Sequence, residues 1–139
     1  MVFTNNLNVA NILVGNPECE IVVTGGTLRR SDGGLVGNLT TDSIGHFKFD
    51  YAVIGCSALD EDGDMLDFDI REVGVSQNII RRSDQVLLIA DNSKFSRKAP
   101  ACIASLSEVD TFYTDKLPSD QIVARCHDWG TQIKLVPRS

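Results

Sequence analysis

The segment Thr24-Gly25-Gly26-Thr27-Leu28-Arg29-Arg30-Ser31-Asp32-Gly33-Gly34 is the richest in groups able to hold an anion. It directly follows the apolar run Ile21-Val22-Val23. Glycines let backbone N–H groups come close to a ligand, and arginines fork onto phosphate oxygens. The spacing is neither Gly-x-Gly-x-x-Gly nor a P-loop, so the nucleotide motifs do not apply. A glycine-supported turn with solvated arginines accounts for the same residues, and composition alone does not separate the two readings.

Three further positions carry charge beside apolar runs. Lys94, in Asp91-Asn92-Ser93-Lys94-Phe95 after Val86-Leu87-Leu88-Ile89, is a positive point charge suited to a phosphate. Asp60 opens Asp60-Glu61-Asp62-Gly63-Asp64, where Gly63 is fourth rather than sixth, so a polar turn explains the cluster better than a calcium loop. Asp60 itself can accept a hydrogen bond from a ligand hydroxyl. Glu72 falls in the first turn of an expected helix, where its charge favours the helix dipole. His46 and His127 form no Ser/His/Asp grouping, so no catalytic residue is assigned. The four cysteines, Cys19, Cys56, Cys102 and Cys126, contain no Cys-x-x-Cys pair, which argues against zinc and disulfides and for reduced, mostly buried thiols. No metal or cofactor is expected.

The elements that must position these residues alternate. Ile21-Val22-Val23, Tyr51-Ala52-Val53-Ile54, Val86-Leu87-Leu88-Ile89 and Thr111-Phe112-Tyr113 are near-continuously apolar, as strands covered on both faces must be. Between them lie helix candidates. One carries Leu7, Ala10, Ile12 and Leu13 and ends near Gly15 and Pro17; the next presents Leu39, Ser43, Ile44 and Phe47 on one face. A third runs from about Ile70 to Arg82 with Val73, Gln77 and Ile80 on one stripe, and a fourth begins with Pro118 in its first turn and stops around Gly130. Thr131 to Leu135 reads as a final strand. This order predicts an α/β fold, an open, mostly parallel sheet with helices on both faces, whose ligands bind outside the carboxyl ends of the strands. One domain is expected over residues 1–135. Residues 136–139, in Leu135-Val136-Pro137-Arg138-Ser139, resemble an expression-tag remnant.

The whole chain fits this scale. Its 139 residues, 42% hydrophobic and 23% charged, describe an ordinary globular domain. Thirteen lysines and arginines against 19 aspartates and glutamates give a net charge of −6, the wrong sign for gripping nucleic acid alone. No apolar stretch approaches the roughly 20 residues of a membrane span, and the opening residues do not read as a secretory signal. A cytoplasmic location is expected.

Thr4-Asn5-Asn6-Leu7-Asn8-Val9-Ala10-Asn11, Thr24-Gly25-Gly26-Thr27-Leu28-Arg29, Phe49-Asp50 with Ile54-Gly55, Asp60 with Asp62-Gly63, and Ala90-Asp91-Asn92-Ser93-Lys94-Phe95 stand in an order and spacing that resembles the sensor domains of DeoR-type bacterial repressors. Leu66-Asp67-Phe68-Asp69 adds to the likeness, which spans nearly all of Val2 to Leu135. The resemblance implies a fold similar to ribose-5-phosphate isomerase and the CoA transferases. It implies an effector-binding domain that senses a phosphorylated polyol or sugar, such as glycerol 3-phosphate. The family's effector contacts carry over to Thr4, Asn5, Gly25, Gly26, Arg29, Asp60 and Lys94, with Glu72 matching a family glutamate.

Two departures shape the expectation. Where many relatives read Gly-Ala-Asp-Gly, this chain has Gly55-Cys56-Ser57-Ala58, so an acid is replaced by Ser57. That weakens the alternative of a sugar-phosphate isomerase-like enzyme. The family's amino-terminal helix-turn-helix, first sensor strand and Asp-x-Gly-Thr-Thr loop have no counterpart here, so the chain resembles a carboxyl-terminal portion with part of its effector pocket absent. DNA would be bound only through that further domain, and a homo-oligomer is the expected assembly.

Overall fold

The computed structural model describes residues 1–137, which divide into two compact units, Met1–Phe47 and the chain from Lys48 onward. In the first unit, β1 (Val2–Thr4) leads through α1 (Leu7–Leu13) to β2 (Ile21–Val23), and the strands pair in parallel with Val2 opposite Ile21. A short antiparallel pair follows, β3 (Thr27–Leu28) with β4 (Leu35–Val36), and then α2 (Asn38–Gly45). The small core holds Ala10, Leu35, Val36, Thr40 and Ile44, and the rings of Phe3 and Phe47 lie 4.9 Å apart.

Both helices of this unit bury less than their expected faces. In α1 only Ala10 is buried, while Ile12 is 78% exposed. In α2 the inward residues are Thr40 and Ile44, Leu39 is 68% exposed, and Phe47 lies beyond the helix. Helices of two turns touch one neighbour along a line, so α1 buries one residue and α2 a single i, i+4 pair.

The second unit runs β5 (Phe49–Ile54), a hairpin of β6 (Ala58–Leu59) and β7 (Asp64–Asp67), α3 (Ile70–Arg81), β8 (Ser83–Ile89), β9 (Ala101–Ser105), β10 (Thr111–Thr114), α4 (Asp120–Trp129) and β11 (Gln132–Leu135). Four strands form a wholly parallel sheet in the order β11-β10-β8-β5. Chain order therefore steps across the sheet in one direction. Right-handed crossovers taken in one direction all fall on one side, and α3 and α4 share a single core with Ala52, Ile54, Val86, Leu88 and Phe112. The α/β character and parallel strands agree with the sequence reading, but within this unit the helices cover one face rather than both.

A second sheet escaped that reading. Strands β6, β7 and β9 pair antiparallel in the order β6-β7-β9, and carry Leu59, Met65 and Ile103 into the same core. Helix ends follow local chemistry. The Asp69 carboxylate accepts the Arg71 N–H at 2.9 Å to start α3, and Gly130, at φ +78, ends α4. Ser119 caps α4 through its hydroxyl, so Pro118 precedes the cap instead of sitting in the first turn.

The four cysteines are free thiols; Cys126 is buried, Cys19 and Cys56 are half-buried, and Cys102 is exposed, so burial is less general than expected. Among the described residues no helix is long and apolar enough to cross a membrane. Of the tail 136–139, the Val136 N–H donates to the Thr114 carbonyl at 2.8 Å; Arg138 and Ser139 lie outside the described residues.

Candidate functional site

In the first unit the two richest motifs hold each other. The Asn6 side-chain oxygen caps α1 by accepting the N–H groups of Asn8 (2.9 Å) and Val9 (3.2 Å). The side-chain amides of Asn6 and Asn8 both donate to the Asp32 carbonyl, each at 3.1 Å. Asn5 donates its side-chain amide to the Leu35 carbonyl at 3.0 Å, and the Thr4 hydroxyl accepts the Asn6 N–H at 3.1 Å. Thr4 and Asn5 thus order the path from β1 into α1 and fix β4 beside it.

The glycine-rich loop is built around one carboxylate. Asp32 accepts the Gly34 N–H at 3.0 Å and forms a two-point ion pair with the Arg29 guanidinium, whose Nε donates at 3.0 Å. That guanidinium holds the Asp32 carboxyl below its ordinary range, against a smaller opposing effect of burial. Arg29 is therefore engaged by a neighbouring acid, and an anion arriving here must compete with Asp32 or share the fork. Gly26 has φ +133, and a Cβ added there would lie 2.0 Å from the Thr40 Oγ1 and 2.9 Å from the Val36 carbonyl oxygen. The Thr40 hydroxyl donates to the Gly25 carbonyl at 2.7 Å, so the glycine pair is clamped onto α2.

In the second unit Lys94 alone of the predicted residues stands past the carboxyl end of a parallel strand, β8. After β8, the Asp91 carboxylate accepts the Ser93 N–H at 2.9 Å and caps a 3-10 helix, Asn92–Ser96, that carries Lys94. The Asn92 N–H donates to the Asp115 carboxylate, just past β10, at 2.7 Å. Lys94 is half-buried there. Its charge is felt at Cys56, just past β5, together with those of Asp67 and Asp91. Burial outweighs the lysine and pushes the Cys56 thiol up to about 12, so it stays protonated and unreactive at neutral pH.

Asp60 stands in a different neighbourhood. Its carboxylate accepts the N–H groups of Asp62 (3.1 Å) and Asp64 (2.9 Å), which fixes the hairpin turn. Its charge acts on Asp64 and Cys102, both raised chiefly by burial. Glu72 is half-buried in the first turn of α3. Sequence reasoning missed the organising roles of Asp32, Asn6, Asn8 and Asp115. The signal available was the Asp-Gly-Gly spacing, since an aspartate two residues before an N–H favours a side-chain turn. It quoted Thr24 only within the glycine-rich motif and did not single out Thr114; the two stand at the carboxyl ends of β2 and β10, and their buried hydroxyls have no hydrogen-bond partner among the described residues.

Comparison with known proteins agrees with this arrangement. Residues 1–116 match the DeoR C terminal sensor domain. The chain is 41% identical over 134 residues to the glycerol-3-phosphate regulon repressor of Escherichia coli (strain K12), covering 96% of this chain and 53% of that protein. It is 44% identical over 117 residues to the repressor of that name from Haemophilus influenzae, covering 84% and 46%. The HTH-type transcriptional repressor CsqR of Escherichia coli is 33% identical over 135 residues, covering 97% and 51%. The chain spans about half the length of these curated relatives, which are named as regulators rather than enzymes. A family match over most of the chain shows that the chain belongs to the DeoR C terminal sensor domain family.

Proposed function

We propose that this chain is the effector-binding part of a DeoR-type transcriptional repressor and that its effector is a phosphorylated polyol or sugar, glycerol 3-phosphate foremost. The observation that carries the reading is Lys94: a capped 3-10 turn holds a half-buried cation at the carboxyl end of the parallel sheet, where ligands of such sheets bind. Relatives similar over most of the chain are named for the glycerol-3-phosphate regulon, which supports that ligand. In the second unit Asp67 and Asp91 act with negative charge on the same Cys56 thiol that feels Lys94, so a phosphate must also draw on backbone N–H groups. Hydroxyl groups of the ligand find acceptors in the same carboxylates.

The chain acts by binding and not by catalysis. Ser57 lacks an ionisable group, and the neighbouring Cys56 thiol is kept neutral. An effector then controls DNA binding in the intact repressor, cytoplasmic and oligomeric, by binding one conformer more tightly than another; only that difference in affinity shifts the population. Titration calorimetry of this chain preceded by the amino-terminal part of the Escherichia coli relative, with glycerol 3-phosphate and with glycerol, tests the proposal. Saturable heat from the phosphate ester and none from glycerol is expected, because charge-assisted hydrogen bonds dominate the contact. Equal affinity for the two, or binding of neither, overturns it.

A further inference from the structure

The ion pair of Arg29 with Asp32 is built so that one member can leave while the other stays. Nε and Nη2 of the guanidinium donate to the two carboxylate oxygens, the same two-point geometry that an arginine makes with a phosphate. The Arg29 side chain is 22% exposed and that of Asp32 48%, so the acid is the member turned further toward solvent. The backbone around the pair is held without it. The Arg29 N–H donates to the Gly34 carbonyl at 2.7 Å and the Gly33 N–H to the Arg29 carbonyl at 3.0 Å, which closes the loop between β3 and β4. The Leu7 N–H donates to the Gly33 carbonyl at 2.9 Å, and the side-chain amides of Asn6 and Asn8 hold the Asp32 carbonyl. Rotation of the Asp32 side chain to another χ1 well gives up the guanidinium and the Gly34 N–H, yet leaves the path of the loop in place.

We propose that Asp32 is an internal competitor of the effector: its carboxylate occupies the Arg29 fork, yields it to the phosphate of a bound ester, and so sets the affinity of the site. The inference rests on the effector reading, with Arg29 among the contacts, and adds to it a residue that opposes binding. A ligand that needs the open fork binds with an apparent dissociation constant divided by the fraction of molecules whose fork is open. That factor is the same for every anion, so it leaves their order of preference alone. It acts on the weak ones by threshold. Inorganic phosphate or a simple carboxylate engages the fork and little else, and the tethered acid moves its binding to higher concentration. A phosphate ester of a polyol adds hydroxyl contacts and still binds. Because the competitor is covalently attached, no change in the concentration of other solutes removes it.

Titration calorimetry with glycerol 3-phosphate, on this chain preceded by the amino-terminal part of the Escherichia coli relative, tests the inference. Asp32→Asn removes the charge and keeps a side-chain oxygen able to accept the Gly34 N–H; Asp32→Ser does the same and serves should the first variant fold poorly. Expected is binding tighter by roughly two- to fivefold, the strength of an exposed ion pair. The gain should vanish in the Arg29→Ala background, since the competitor acts through that fork alone: the double variant then binds no more tightly than Arg29→Ala. A gain that persists without Arg29 is general charge repulsion and overturns the inference. Tighter binding by neither Asp32 variant overturns it as well and leaves the acid a prop of the loop. If the unchanged fusion itself fails to bind glycerol 3-phosphate, the effector reading falls and this inference falls with it; binding that the Asp32 variants do not tighten removes the inference alone.

Discussion

Single side chains in the first unit hold the loop that sequence reasoning assigned to the ligand. Asp32 receives Arg29 through its carboxylate and Asn6 and Asn8 through its carbonyl, so one residue ties two motifs more than twenty positions apart. Because the Arg29 guanidinium lowers the Asp32 carboxyl in the folded state, its stabilising contribution is present above the unfolded value near 3.9 and is lost as pH falls through the folded one. Asp32→Asn should therefore cost up to about 1 kcal/mol at pH 7, the scale of an exposed ion pair, and nothing at pH 2; urea denaturation at both values checks it. Gly26→Ala is far more severe. The added methyl meets the Thr40 hydroxyl and the Val36 carbonyl in a conformation that L residues rarely adopt, and a loss of about 2 kcal/mol or more is expected in the same measurement. For Lys94→Ala the expected effect is on binding: glycerol 3-phosphate should bind more weakly by about 1.5 to 3 kcal/mol, the range for hydrogen bonds to charged groups. Calorimetry reads that loss, and an unchanged affinity removes Lys94 from the phosphate site. The lysine was legible in the sequence because a charge after the strongest apolar run falls at a strand end. Its capping by Asp91 was not singled out, since no spacing tells a capped turn from a plain loop.

Secondary elements were legible where the local signal was strong, not simply where they were long: three-residue β2 was read and five-residue β9 was not. Runs such as Val86 to Ile89 became strands, and caps such as Asp69 and Gly130 sit where the helices end, because long apolar runs and caps are local signals. The antiparallel sheet β6-β7-β9 was not legible. Its strands hold two, four and five residues and include a register shift between Met65 and Leu66, so the period-2 pattern is broken before it can be recognised. The hairpin has its own electrostatic burden: burial, then the charges of Asp60 and Asp62, raises the Asp64 carboxyl. A raised carboxyl favours the folded state below the unfolded value, and that advantage is lost as pH rises through the folded one. Asp64→Asn is expected to stabilise the chain at pH 7 by a few tenths of a kcal/mol after solvent screening. The gain should vanish near pH 2.5, which thermal denaturation at the two values detects.

At the scale of the molecule, charge decides what the chain does alone. With a net charge of −6 it has no excess of cations to displace the counterions of a duplex. A gel shift with these 139 residues should give no operator-selective complex, and a salt-resistant, sequence-selective shift would contradict this. The α/β class was legible because strand and helix signals alternate, whereas the one-sided cover of the sheet depends on strand order, which no local pattern encodes. The division into two units has an optical consequence. The single tryptophan, Trp129, and both tyrosines belong to the second unit, while the first has only Phe3 and Phe47 among its aromatic residues. The Trp129 ring lies 2.8 Å from where a Cβ on Gly63 would sit, packed on the hairpin turn. Intrinsic fluorescence excited at tryptophan therefore reports the docking of α4 on that turn, and Met1–Phe47 contributes no emitting tryptophan or tyrosine of its own.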